Sequence, residues 1–126
     1  MRRGSSDTVR IEYAVPKRRV EQALARYLKR VGSRVGLRQA ILFGSYARDN
    51  YSSDSDIDLA IIADRLPQDH AERYALLKDT VLGLDLQPFA YTLKEWERMA
   101  RTKSGFVHEI LRHGKVLYPP RSLTQD

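Results

Sequence analysis

The 126-residue chain contains no cysteine, which excludes disulfides and thiolate metal sites and fits a reducing cytosol. It lacks any apolar stretch near the roughly 18–20 residues that a membrane-spanning helix requires. Its arginine- and serine-rich start has no apolar segment of the signal-peptide kind. The expected location is therefore the cytoplasm, with no membrane partner. Histidine is scarce: His70, His108 and His113 are scattered, and none has a partner at metal-ligand spacing. Internal repeats, low-complexity tracts and linkers are absent. Acidic residues are few in the first third, where Asp7, Glu12 and Glu21 face Arg2, Arg3, Arg10, Lys17, Arg18, Arg19, Arg26, Lys29, Arg30, Arg34 and Arg38. This asymmetry within a net charge of +6 describes either a solvated helix face or a surface for an acidic partner or nucleic acid.

The length corresponds to one domain, since domains most often hold about 100–150 residues, and a chain of this size buries enough surface to stand without staples. Residues 1–12 read as a basic arm, 13–118 as the folded domain and 119–126 as a frayed tail. Pro16 opens a helical pattern with Val20, Leu24, Tyr27, Leu28 and Val31 on one face, stopped by Gly32 and Gly36. Ala40 to Phe43 is a short apolar run ending at Gly44, and Ile57 to Ala63 is a second, interrupted by Asp58; both read as buried strands. Pro67 breaks the second run. Asp69 then caps a helix predicted to reach about Leu82, with Tyr74, Leu77 and Val81 inward. Leu84 to Tyr91 alternates as a strand whose Pro88 points to a sheet edge or a bulge. Thr92 and Glu95 form a capping box for a helix carrying Trp96 and Met99. A helix near Gly105–Arg112 stops at Gly114, and Val116 to Tyr118 adds a short strand. Helices alternating with strands imply a compact α/β (α+β) unit with a small mixed sheet.

Two features carry chemistry. Gly44 and Ser45 follow a buried strand, where backbone N–H groups and a hydroxyl suit phosphate oxygens, and where Ser45 can start a short helix. Arg48, one turn on, supplies a cation. Asp56 and Asp58 alternate at the start of the next strand, so both project from one face while Ile57, Leu59 and Ile61 project from the other. Two carboxylates this close repel and are costly to desolvate, and a bound cation removes that cost. Hard oxygen ligands without cysteine or paired histidine favour Mg²⁺ or Mn²⁺ over Zn²⁺. The bland alternative is a strand end frayed into water. A calcium loop starting at Asp54 fails, because Leu59 and Arg65 stand where glycine and glutamate are required. A Walker loop fails for want of Gly-Lys-Ser/Thr. Tyr46 is suited equally to packing under the bend and to lining a pocket.

The segment from Leu42-Phe43-Gly44-Ser45-Tyr46-Ala47-Arg48 to Ser55-Asp56-Ile57-Asp58-Leu59 resembles the signature of the DNA polymerase beta-like nucleotidyltransferase superfamily. It is most similar to the small "minimal" nucleotidyltransferases of bacteria and archaea. The likeness runs from about Val20 to Tyr118 and includes the ending Phe106 to Tyr118.

The resemblance implies that Gly44 and Ser45, with Arg48 beside them, bind the phosphates of a nucleoside triphosphate such as ATP. It implies that Asp56 and Asp58 bind Mg²⁺ or Mn²⁺, and that a nucleoside monophosphate passes to a hydroxyl with loss of pyrophosphate. The family's active members carry a third carboxylate on a later strand. Asp85 is expected in that catalytic and metal-binding place; Gln87 takes it if the strand is aligned by Tyr91-Thr92, and a glutamine accepts no proton. Relatives of this size pair with an all-helical HEPN partner, which implies an antitoxin that adds AMP to the partner. An alternative is an antitoxin or assembly subunit that neutralises a HEPN-type partner by binding alone. A small-molecule acceptor ranks lower, since those enzymes carry a further helical domain. The basic N-terminal third leaves nucleic acid open as a partner, and oligomerisation is open as well.

Overall fold

The structure, a computed structural model, describes residues 13–102 and 104–120. The arm assigned to 1–12 and the tail from 121 onward lie outside the described residues. The order is α1 (Lys17–Val35), β1 (Leu37–Phe43), β2 (Ile57–Ala63), α2 (His70–Leu77), β3 (Asp79–Val81), β4 (Leu84–Tyr91), α3 (Leu93–Arg101), α4 (Gly105–His113) and β5 (Lys115–Tyr118). The five strands form one mixed sheet in the order β3-β4-β2-β1-β5. Only β2 and β4 run parallel; the other three pairings are antiparallel.

Alternation along the central strands divides the interior into two layers. Leu42, Ile57, Leu59, Ile61 and Leu86 project to one face and meet Val20, Leu24, Tyr27, Leu28 and Val31 of α1. Ile41, Phe43, Ala60 and Ile62 project to the other and meet Trp96 of α3 and Val107 and Ile110 of α4. The central strands are thus covered on both sides, which is why they read as continuous apolar runs rather than as an alternating pattern. No helix among the described residues is long and apolar enough to cross a membrane.

Local expectations held for β2 and β4, whose bounds agree with the sequence reading. The Asp69 cap accepts from the Ala71 N–H, and the Thr92–Glu95 capping box is complete in both directions. Pro88 is tolerated in β4 because β3 pairs only with Leu84 to Leu86, so the later part of β4 has a strand neighbour on one side alone.

Three expectations are corrected. Gly32 lies within α1 and only Gly36, in the left-handed region at φ 65°, ends it. No helix begins at Ser45: residues 45–49 form turns. The helix from Asp69 ends at Leu77 rather than near Leu82. Val81 instead ends the strand β3, and Tyr74 is 40% exposed. The reason is tertiary. The Tyr27 hydroxyl donates to the carbonyl of Leu77, Arg30 holds Asp79 at 2.7 Å, and Asp79 accepts from the Thr80 N–H at 2.7 Å. Leu82 and Gly83, both at positive φ (54° and 79°), then form a tight hairpin turn into β4.

Candidate active site

The bend after β1 is built against a carboxylate. Gly44 has φ 76°, and a Cβ added there would lie 2.3 Å from Oδ2 of Asp58. A side chain is therefore excluded twice, by conformation and by space. The Arg48 N–H bonds to the Gly44 carbonyl and the Asn50 N–H to the Ser45 carbonyl, each at 3.1 Å. Beneath the bend Tyr46 is fully buried, donates to the Val15 carbonyl at 2.8 Å and stacks on Tyr51 with ring centroids 4.2 Å apart. Of the two roles open to Tyr46, the structure shows packing. Lys17, at the start of α1, fastens the bend by an ion pair of 3.2 Å with Asp49.

Asp58 sits one residue into β2, half-buried, opposite Phe43 of β1. Asp56 lies just before the strand and is exposed. Burial pushes the Asp58 carboxyl above its ordinary range, and the negative charge of Asp56 pushes it further. The floor under this pair is aromatic. Phe43, Phe89 and Phe106 meet pairwise at ring separations of 5.2, 5.5 and 5.5 Å, closing the α3/α4 layer and leaving the carboxylates at its open end.

On the far side of β2, Gln87 is the register partner of Asp58 and Leu86 of Ile57. Asp85 stands one pleat further out on the same face as Gln87, level with Thr80 of β3. Asp85 is exposed. Asp85 and Gln87 share a cavity of about 340 Å³ with Tyr74, Lys78, Asp79, Thr80 and Leu86. The Tyr74 hydroxyl donates to Oε1 of Gln87 at 3.2 Å. Tyr74 and Lys78 are additions to the residues singled out from sequence. Helical spacing assigned Tyr74 to the core, and nothing local to the sequence marks Lys78.

Arg48 is committed elsewhere: its guanidinium bonds Glu109 of α4 at 2.8 Å, both side chains being about two-fifths exposed. His70, His108 and His113 are exposed, and Trp96 is a core residue at 7% exposure.

Among the described residues no three acidic or histidine side chains gather closely enough to hold a metal ion. The adjacent Asp56 and Asp58 nevertheless fit a divalent cation. They are hard oxygen donors, burial and then the charge of Asp56 raise Asp58, and the carbonyl of Gln87 lies on the neighbouring strand at the same level.

The glycine-led bend that follows β1 thus closely approaches Asp58 of the neighbouring strand β2. The family profile described as polymerase beta, nucleotidyltransferase, matches residues 24–122. The chain belongs to this nucleotidyltransferase family. Two proteins of Methanocaldococcus jannaschii, both named as candidate protein adenylyltransferases, are similar to this nucleotidyltransferase. One is 34% identical over 84 residues, covering 62% of this chain and 56% of the relative. The other is 32% identical over 102 residues, covering 78% of this chain and 97% of the relative. Two crystal structures share the fold. A candidate nucleotidyltransferase from Sulfolobus solfataricus has a TM-score of 0.52 at 19% identity, covering 66% of this chain and 76% of that one. A toxin–antitoxin structure with AMP-PNP has a TM-score of 0.54 at 23% identity, covering 78% and 72%.

Proposed function

We propose that this nucleotidyltransferase moves a nucleoside monophosphate, AMP from ATP, to a hydroxyl of a partner protein and acts as the antitoxin of a toxin–antitoxin pair with a HEPN-type helical partner. The observation that carries the reading is the contact of Gly44 with Asp58, which puts the bend and a raised carboxylate in one place. The adenylyl group and protein acceptor are supported by what the two relatives are named for. The paired partner is suggested by the description of the toxin–antitoxin neighbour.

In this reading Gly44 and Ser45 bind the triphosphate through backbone N–H groups and the Ser45 hydroxyl. Arg48 exchanges Glu109 for a phosphate oxygen. Asp56 and Asp58 would hold Mg²⁺ or Mn²⁺, with Asp85 as the third acid of the site. A divalent ion bound there would supply charge neutralisation to the phosphates. The acceptor oxygen forms a bond to the α-phosphorus, the bond from that phosphorus to the bridging oxygen breaks, and pyrophosphate leaves. The acceptor proton passes to Asp85. Positioning by these side chains supplies most of the rate.

The position of Gln87 beside Asp58 favours a second reading, in which the protein neutralises its partner by binding without transfer. Incubation with α-labelled ATP, Mg²⁺ and the candidate partner separates the two. Label on the partner that disappears in Asp56→Ala and Asp58→Ala supports transfer. Full neutralisation by those unlabelled variants supports binding alone.

A further inference from the structure

Resting on the nucleotidyl-transfer reading, the geometry points to an acceptor inside the chain itself: we infer that Tyr74 is a site of self-nucleotidylation. An in-line displacement sets entering and leaving oxygens on opposite sides of the phosphorus. The sheet order is β4-β2-β1 across the site. The Gly44 bend, where the departing pyrophosphate end is held, follows β1 on one side of Asp58. Gln87 lies on the other side, level with Asp58 on β4. The entering hydroxyl must therefore come from the β4 side.

That side already holds a hydroxyl. Oη of Tyr74 is 3.2 Å from Oε1 of Gln87. The Tyr74 side chain is not locked into the core; the residue is 40% exposed and lines the cavity of about 340 Å³ that also contains Asp85 and Lys78. It is carried on α2, which packs against β4 and is fixed by its Asp69 cap and by the Tyr27 bond at its end. A phenol held on a rigid element beside the reacting groups gains the effective concentration of an intramolecular nucleophile. The step balances: Tyr74 Oη bonds the α-phosphorus, the bond to the bridging oxygen breaks, pyrophosphate departs, and the phenol proton goes to Asp85 in the same cavity. The product is a phosphodiester on Tyr74. It would fill the place where another protein's hydroxyl has to enter, so self-modification would shut off transfer to a partner.

The test uses the full chain alone with Mg²⁺ or Mn²⁺ and ATP, read by intact mass and by peptide mapping. One nucleoside monophosphate on Tyr74 is expected, absent from Tyr74→Phe, whose folding is checked by its unfolding midpoint. Absence of an adduct, mapping to another residue, or persistence of the adduct in Tyr74→Phe overturns the inference. Metal-dependent thermal stabilisation by ATP, measured in the wild type and in Asp58→Asn, tells which reading failed. Stabilisation that needs Asp58, without an adduct on Tyr74, removes only the self-acceptor. No stabilisation in either protein removes the nucleotide site as well.

Discussion

Gly44 is the residue at which conformation and chemistry coincide. Alanine there would adopt a disfavoured φ and place its Cβ 2.3 Å from Asp58 Oδ2. Strain of this kind costs about 1–3 kcal/mol. Gly44→Ala is therefore expected to lower stability by that amount in denaturant melts and to abolish nucleotide-dependent stabilisation. Asp58 is expected to behave in the opposite sense. Its carboxyl is raised in the folded state by burial and by Asp56, so the folded protein holds this proton more tightly than the unfolded chain. Stability from this group is present below the unfolded pKa and falls as pH rises toward and through the folded value. Asp58→Asn removes that cost. Without metal at neutral pH it should be more stable than the wild type by roughly 0.5–2 kcal/mol, the size common for one stabilising substitution, while losing transfer. A variant equal to or weaker than the wild type in calorimetry would contradict this electrostatic account. The sequence could single out these residues because, under the proposed function, phosphate and metal chemistry restrict the residue types that can serve. Arg48 was legible as a nearby cation, but its Glu109 partner lies 61 positions away and nothing local announces it.

At the level of elements, reading succeeded where the local signal had one meaning. The apolar run of β2 and the alternation of β4 left no competing structure, and both capping motifs act within a few residues. It failed at α2 because Leu77 and Val81 are spaced equally well for a helix, and both are buried in the same core layer. The choice was made by Tyr27 and Arg30 of α1, 50 and 49 positions away from their partners. Partners 6, 17 and 22 positions away likewise hid Arg73. This guanidinium is only 5% exposed, yet it donates to the carbonyls of Pro67 at 2.6 Å and Ala90 at 3.1 Å and to both oxygens of Glu95. It ties α2, β4 and α3 into one corner. The bond from Arg73 holds the Glu95 carboxyl down at about 2, with the Thr92 N–H assisting. Removing Glu95's charge strands a buried cation. Glu95→Gln should cost roughly 2–3 kcal/mol at neutral pH, below the upper range for a broken buried pair because Glu95 is a third exposed. The sign follows from the depressed pKa: this stability is present above the ordinary glutamate range and is lost as pH falls toward 2. Urea melts of the two proteins should differ at pH 7 and converge at the acid end.

At the scale of the whole molecule, the candidate site lies where the two core layers end differently. The α1 layer backs β2 through Ile57 and Leu59 up to the carboxylates, whereas the α3/α4 layer stops at the phenylalanine floor and leaves the opposite face open. Sequence pattern identifies which residues share a face, but not where a covering helix stops. The Arg48–Glu109 pair spans this boundary, joining the bend to α4. Under the proposed function it sets a competition between Glu109 and a phosphate for one guanidinium. A surface pair of this exposure contributes about 0.2–1 kcal/mol. Releasing Arg48 through Glu109→Gln should therefore tighten ATP binding by roughly 1.5- to 5-fold. Arg48→Ala should weaken binding, and the double variant should match Arg48→Ala, because Glu109 acts only through the arginine. Titration calorimetry at low and high salt checks the set. The gain in Glu109→Gln must shrink as salt screens the pair, and a gain that persists without Arg48 would mean that Glu109 repels the triphosphate directly.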